Sequence, residues 1–279
     1  MQSHILSTIA ERHQLCLSQA QTLAGGDTNA VYRCDSAAGP VVLKYNEEPE
    51  LRDIFTKEVT GLEALRAAEA FVIPQVYAHG HTELGSYLVL EYLPPGQLEP
   101  WSVFGRRLAQ LHARTAPKFG FSESNYIGRL VQYNDPTDQA GDFFVSQRLE
   151  PQFRLAQRHG YTFSKLDQLY RRAMDLIPHQ APALLHGDLW RGNCLLTERG
   201  FALIDPAVSY GPREMDLAMM RLFGGFPEAA FMAYEAHNPS TPGLAERIPL
   251  YQLYYVLVHV NMFGGGYYEQ AQAIVRAYL

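Results

Sequence analysis

The chain has 279 residues, 47% of them hydrophobic and 19% charged, enough apolar content to bury one large core or two lobes. A formal net charge of -6 gives no basic footprint for nucleic acid or an anionic membrane, so neither is expected as a partner. Cys16, Cys34 and Cys194 are an odd, dispersed set without metal-ligand spacing, which points to a reducing cytoplasm and to thiols buried as small hydrophobes.

In chain order, a first helix is expected around Ser3 to Arg12. Glu11, Arg12 and His13 break the apolar run early, so no signal peptide is expected. Thr22 to Cys34 reads as strand, glycine turn, strand. The adjacent Gly25 and Gly26 allow close approach of backbone to phosphate, and Thr28 and Asn29 add donors. The turn is therefore a candidate cover for a nucleotide, although an ordinary hairpin has the same pattern.

Val41-Val42-Leu43-Lys44 is an apolar strand ending on a lysine, and a helix from about Leu51 to Ala68 carries Glu58 beside a stripe of Phe55, Val59, Leu62 and Leu65. A strand lysine and a helix glutamate form the ion pair that positions the α and β phosphates in kinases. Most residues of both types are simply solvated. The strand Tyr87 to Leu93 runs into Pro94-Pro95-Gly96, the strongest punctuation in the chain. It sets a boundary between an N-terminal nucleotide-binding lobe (1–93) and a C-terminal helical lobe (94–279). Main chain at the strand end, at Glu91 and Leu93, is the candidate for the adenine edge.

Helical periodicity dominates beyond that point. Phe104, Leu108 and Leu111 mark one helix, and Ser164 to Ile177 marks another with Ser164 as N-cap and Pro178 as stop. Arg213 to Phe223, Glu228 to Ala236, Ile248 to Phe263 and Tyr268 to Tyr278 follow. Gln252, His259 and Asn261 interrupt the most apolar of these, which is too short and too polar to span a bilayer.

The chemistry is concentrated in Leu185-His186-Gly187-Asp188-Leu189-Trp190-Arg191-Gly192-Asn193 and the following Leu203-Ile204-Asp205-Pro206. Asp188 and Asn193 are spaced as in the kinase pattern H-R-D-x-x-x-x-N, with Gly187 where that pattern has Arg. In phosphoryl transfer one carboxylate orients the attacking hydroxyl and accepts its proton, while an amide oxygen and a second carboxylate hold magnesium. Asp188 fills the first role and Asn193 and Asp205 the second. Any one of the three alone reads as a turn former. Together, between short apolar strands, they point to ATP and Mg2+ as cofactors. His186 is expected to anchor the loop through a main-chain hydrogen bond, with Asp216 doing likewise from a helix start.

These segments resemble the fructosamine kinase (ketosamine 3-kinase) family, within the aminoglycoside phosphotransferase-like branch of the protein kinase-like fold. The resemblance also rests on Asn125-Tyr126-Ile127-Gly128, Gln132 with Asn134, Phe143-Phe144 with Arg148-Leu149 and Pro151-Gln152, and Arg213-Glu214-Met215-Asp216-Leu217-Ala218. The runs Arg221 to Phe226, Tyr251 to Tyr254 and Phe263 to Tyr267 are more specific to that family than to kinases at large. It implies an α+β bilobal fold with a small β-rich N-terminal lobe, MgATP, and transfer to the C3 hydroxyl of a ketosamine, small or protein-bound, by a monomer.

Two departures stand out. Gly141-Asp142 precedes the Phe pair where the family often has Trp, which suggests tolerance of varied acceptors, and Asp27 replaces a cysteine in the glycine loop and so excludes a disulfide there. A ketosamine also carries a protonated secondary amine, for which Trp190, Tyr267, Tyr268 and Glu269 are candidate aromatic or acidic walls. Kinases of aminoglycosides, choline or sugars, and a non-catalytic nucleotide-binding module, are the alternatives. A metal-dependent phosphoesterase ranks below them, because the ten histidines are scattered.

Overall fold

A computed structural model describes residues 3–23, 28–97 and 99–279. Gly25, Gly26 and Asp27 lie outside the described residues. Helix α1 (Ser3–His13) precedes strands β1 (Ser18–Thr22), β2 (Ala30–Ser36) and β3 (Gly39–Asn46), helix α2 (Ile54–Ala67), and strands β4 (Val76–His81) and β5 (Ser86–Glu91). The five strands form one antiparallel sheet in the order β1-β2-β3-β5-β4.

Alternation along the central strands decides what each face does. Val41, Leu43 and Tyr45 of β3 and Tyr87 and Val89 of β5 pack with Ile5 and Ile9 of α1. Leu88 and Leu90 point the other way, into a core with Phe55, Leu62 and Leu65 of α2. Lys44 shares that second face, so a cation is carried into the interior by a strand whose other face is apolar. It lies within β3 rather than at its end, two residues short of Asn46.

The remaining elements are α3 (Trp101–His112), β6 (Asn125–Ile127), β7 (Leu130–Gln132), α4 (Ala140–Phe143), a π-helical stretch Phe144–Leu149, α5 (Glu150–Arg158), α6 (Leu166–Leu176), β8 (Ala183–Leu185), β9 (Cys194–Thr197), β10 (Gly200–Leu203), β11 (Ser209–Gly211), α7 (Glu214–Leu222), α8 (Glu228–His237), α9 (Leu244–Phe263) and α10 (Gly266–Ala277). The apolar core continues past Pro94-Pro95-Gly96. Leu90 and Phe55 share a cluster with Phe104, Leu108, Leu203 and Leu217, while a second cluster surrounds Tyr251, Tyr254 and Leu257 of α9. Helices α3 and α8 meet at Gly105, where a Cβ would stand 2.1 Å from the Ala230 carbonyl oxygen. The fold is the expected α+β kinase-like architecture.

Three local expectations are corrected. Ser164 does not cap α6: Lys165, in the left-handed region at φ 58°, precedes a helix that starts at Leu166 without a side-chain cap. Helix α9 begins at Leu244 rather than Ile248 and contains Pro249, because buried Arg247 anchors its first turn. Cys16 is exposed, not a core thiol, although Cys34 and Cys194 are buried.

The Arg247 anchor is a bidentate ion pair with Glu214 at the start of α7, with Nε to Oε2 at 2.7 Å and Nη2 to Oε1 at 2.6 Å, both side chains buried. Removing one partner strands a buried charge. Glu214→Ala is expected to lose about 3–5 kcal/mol of stability in urea denaturation, and a loss under about 1 kcal/mol would contradict that role for the pair.

Candidate active site

The loop after β8 is shaped by buried polar groups rather than by helix or sheet. His186 is fully buried, its Nε2 donates to the Ile204 carbonyl at 2.9 Å, and its Nδ1 accepts the Asp188 N–H at 3.2 Å. Burial holds its pKa below the ordinary value, so the imidazole is a neutral spacer rather than a base. Asp216, on the first turn of α7, accepts the N–H groups of His186 at 2.8 Å and Gly187 at 2.9 Å, and lies 3.1 Å from His112 Nε2. Burial opposes that charge, but the hydrogen bonds from His112 and Gly187 favour it, and the carboxyl is held below the usual range. Gly187 has φ 84°, and a Cβ there would be 1.9 Å from the Ala207 oxygen, so no side chain fits where the protein-kinase pattern has Arg.

Asp188 follows directly. Asn193 Nδ2 donates to its carbonyl at 2.9 Å and to Oδ2 at 3.1 Å, locking the two together across the turn. Burial first, and the nearby Asp205 charge second, push the Asp188 carboxyl up to about 7. Asp205 sits just beyond β10 at φ 55°, a left-handed conformation that Asp tolerates, and aims Oδ1 at Lys44 Nζ, 2.7 Å away. Lys44 Nζ is also 2.7 Å from Glu58 Oε1. Burial alone would favour loss of the lysine proton, yet the two carboxylates outweigh it and push the pKa up, so the ammonium stays charged. One cation thus ties sheet, helix α2 and the Asp205 segment together.

These groups open into a cleft of about 1010 Å³. On the sheet side Thr28, Asn29, Val42, Lys44, Glu58, Leu90, Glu91 and Leu93 line it, and on the helical side Met219, Phe223, Tyr255, His259 and Met262. Asp188, Trp190, Asn193 and Asp205 complete the lining. Asn29 Oδ1 and the Thr28 carbonyl both accept from Asn46 Nδ2, which fixes the chain behind the described part of the glycine turn. Trp190 is 42% exposed and packs over Gly192, leaving ring surface free to the cleft.

Some expected site residues sit elsewhere. The N–H of Glu91 donates to the Gln75 carbonyl and its carboxylate takes the Gln75 N–H and Arg199, so neither group is free for an adenine edge. Helix α10 starts at Gly266, which turns Tyr268 onto Tyr161 and Phe163 with its hydroxyl on the Thr162 carbonyl, away from the cleft. Glu269 is exposed outside the cleft lining. Tyr267 stands one ring behind the wall, 4.8 Å from His259.

Sequence patterns missed a buried amide network that fixes the chain after Asp205. Gln132 Nε2 donates to the Ala207 carbonyl and to Asn125 Oδ1, Asn125 Nδ2 to the Val208 carbonyl, and Arg148 to Asn134 Oδ1. These partners lie on β6, β7 and the π-helical stretch, so only the fold brings them to Asp205. The raised value for Asp188 has a linkage consequence. Its folded value lies above the unfolded one, so its contribution to stability is full below the ordinary carboxyl value of 3.8 and is lost as pH rises through about 7. Without bound ligand, Asp188→Asn is expected to melt above wild type at pH 8, with the gap shrinking toward pH 5. A gap independent of pH in thermal scans would rule out the shifted carboxyl.

A family model described as fructosamine kinase matches residues 1–279. Proteins named probable ketoamine kinase are 39% identical over 261 residues in Enterococcus faecium, covering 91% of this chain and 92% of that protein, and 38% identical over 266 residues in Synechocystis, covering 93% and 90%. The crystal structure of a candidate fructosamine-3-kinase from Thermobifida fusca superposes with a TM-score of 0.87 at 30% identity, covering 100% of this chain and 99% of that one. A thermostable aminoglycoside phosphotransferase APH(4)-Ia, solved with AMP-PNP and hygromycin B, shares the fold, with a TM-score of 0.65 at 20% identity over 98% of each chain. With a family model spanning every residue and relatives of this identity over nine-tenths of its length, the chain belongs to the fructosamine kinase family.

Proposed function

We propose that the protein is an ATP-dependent kinase that phosphorylates the C3 hydroxyl of ketosamines, the adducts of a sugar with an amine. The observation that carries this reading is the convergence of half-buried Asp188, buried Asn193 and the Lys44–Asp205 pair, from three separate segments, in one cleft. The nucleotide reading rests on Lys44 held by Glu58 beside the apolar Val42, Leu90 and Leu93. AMP-PNP bound to a protein of the same fold is consistent with it.

Asp188 orients the acceptor hydroxyl and takes its proton; a carboxyl near 7 matches the pH at which it must both hold and release a proton. Lys44 binds phosphate oxygens. With Asn193 Nδ2 committed to Asp188 and Asp205 Oδ1 to Lys44, the Asn193 oxygen and the second Asp205 oxygen are the donors left for a cation. Such hard oxygen ligands suit magnesium, with phosphates and water completing its shell. Among the described residues no three His, Cys, Asp or Glu gather as metal ligands, so any cation here depends on phosphate as well. Magnesium, when bound, neutralises charge on the transferring phosphoryl group. Most of the rate enhancement is positioning and charge neutralisation.

The acceptor wall separates this reading from an aminoglycoside kinase. Met219, Phe223, Tyr255, His259 and Met262 carry no carboxylate, whereas a polycationic aminoglycoside needs several. A single secondary ammonium is served by aromatic faces such as Trp190. No helix among the described residues is long and apolar enough to cross a membrane, and the free thiols support a reducing cytoplasm, where the activity would reverse sugar damage to amines.

Asp188→Asn is expected to lower turnover by at least about 10² while leaving nucleotide affinity nearly unchanged. Lys44→Met and Asp205→Asn are expected instead to impair use of MgATP, and wild-type ATP titrations for both would show the site to be misplaced. Ribulosyl-lysine or fructosyl-lysine is expected to be phosphorylated at C3 far faster than the free ketose. Product NMR with phosphate at another carbon, or equal rates on the two, would favour a general sugar kinase.

A further inference from the structure

The helical wall of the cleft contains a hydroxyl that nothing in the described chain satisfies. Seven buried side-chain nitrogen or oxygen atoms among the described residues have no hydrogen-bond partner, and of these only Tyr255 Oη belongs to a residue lining the cleft. Tyr255 is fully buried in the middle of α9. Its neighbour Tyr254 spends its own hydroxyl on Gln132 Oε1 at 2.8 Å and holds its ring 5.0 Å from that of Tyr255, which fixes the ring but leaves the Tyr255 oxygen unpaired. The other cleft-lining residues of this wall on α7 and α9 include Met219, Val258 and Met262, which offer no hydrogen-bonding group, and His259, whose Nδ1 donates to the Tyr255 carbonyl at 2.8 Å.

A buried hydroxyl without a partner has lost its hydration and gained nothing in return, so its presence calls for a partner that arrives later. Burial chiefly, with the charges of Asp216 and Asp188 adding to it, keeps the phenol well above its ordinary pKa, so the group is a neutral O–H that can both donate and accept. Asp188 lines the same cleft as Tyr255. An acceptor that presents one hydroxyl to Asp188 and carries others on adjacent carbons brings polar groups to this mainly apolar wall.

We infer that Tyr255 Oη is an acceptor-recognition group, forming a hydrogen bond to a sugar hydroxyl other than the one held by Asp188 and so selecting polyhydroxyl acceptors in one orientation. This rests on the ketosamine kinase reading. It gives the wall a division of labour: aromatic and thioether surface receives the carbon skeleton, and one phenol reads its register.

Tyr255→Phe deletes only the oxygen, and the test uses the full-length chain with MgATP and fructosyl-lysine. The variant is expected to melt at or above the wild-type temperature, to keep its KM for ATP within about twofold, and to lose about tenfold or more in kcat/KM for the ketosamine. A second arm uses ketosamines deoxygenated at C4, C5 or C6. One of them should be about tenfold poorer than the parent for the wild type yet no poorer for Tyr255→Phe, the signature of a shared hydrogen bond. Unchanged ketosamine kinetics in the variant, a lowered melting temperature with all substrates impaired alike, or equal sensitivity of both proteins to every deoxygenation would overturn the assignment. If wild type itself fails on fructosyl-lysine while phosphorylating another acceptor, the ketosamine reading falls and this inference with it. Wild-type turnover with an unaffected variant removes this inference alone.

Discussion

A fully buried carboxylate sets the path of the loop that carries Asp188. Asp216 is fully buried, and a buried charge is tolerable only when donors surround it. The donors it collects are the N–H groups of His186 and Gly187 and the ring of His112. Satisfying Asp216 therefore forces the chain after β8 into a single path, with Gly187 in a left-handed turn against Ala207 and Asp188 emerging toward the cleft. The bidentate pair of Glu214 with Arg247 fixes the same end of α7 from the other side. Catalytic precision here is a by-product of charge satisfaction in the core.

The second electrostatic unit, Lys44 with Glu58 and Asp205, works over a longer range in sequence. Its members are 14 and 161 residues apart, and a point charge between two carboxylates holds them at 2.7 Å each. Electrostatics also couple this unit to the first, because the Asp205 charge helps to raise the Asp188 carboxyl. A cation bridging Asn193 and Asp205 would relieve part of that repulsion and favour ionised Asp188, so the base would become fully competent where phosphate and metal are present.

The same fold hosts aminoglycoside phosphotransferases. In this chain the helical wall of the cleft is built by α7 and α9. Its aromatic and thioether surface and its unpaired phenol come from a helix whose hydrophobic residues form the centre of the larger core. Fold alone does not fix the acceptor, which depends on the side chains that line the cleft.

Asp188, Asn193 and Asp205, with Lys44 and Glu58, were legible in the sequence because their spacing relative to short apolar strands is dictated by chemistry that few other loops require. Many of the longer elements were legible too, since alternation and helical periodicity are local signals, but the short strands β4, β6, β7 and β11 and the helices α4 and α5 were not read. Caps and helix starts were less so: Ser164 yielded to a left-handed Lys165, and the start of α9 was set by a buried arginine whose partner lies on α7. Tyr268 and Glu269 follow closely on the glycine run and look available in sequence, but the start of α10 at Gly266 turns Tyr268 away from the cleft and leaves Glu269 outside it. Sequence by itself determined the reaction chemistry, because that chemistry is written in residue types at short spacing. Only the tertiary structure decided which groups are charged, buried or left without a partner, because desolvation and hydrogen-bond satisfaction depend on neighbours that are distant in the chain.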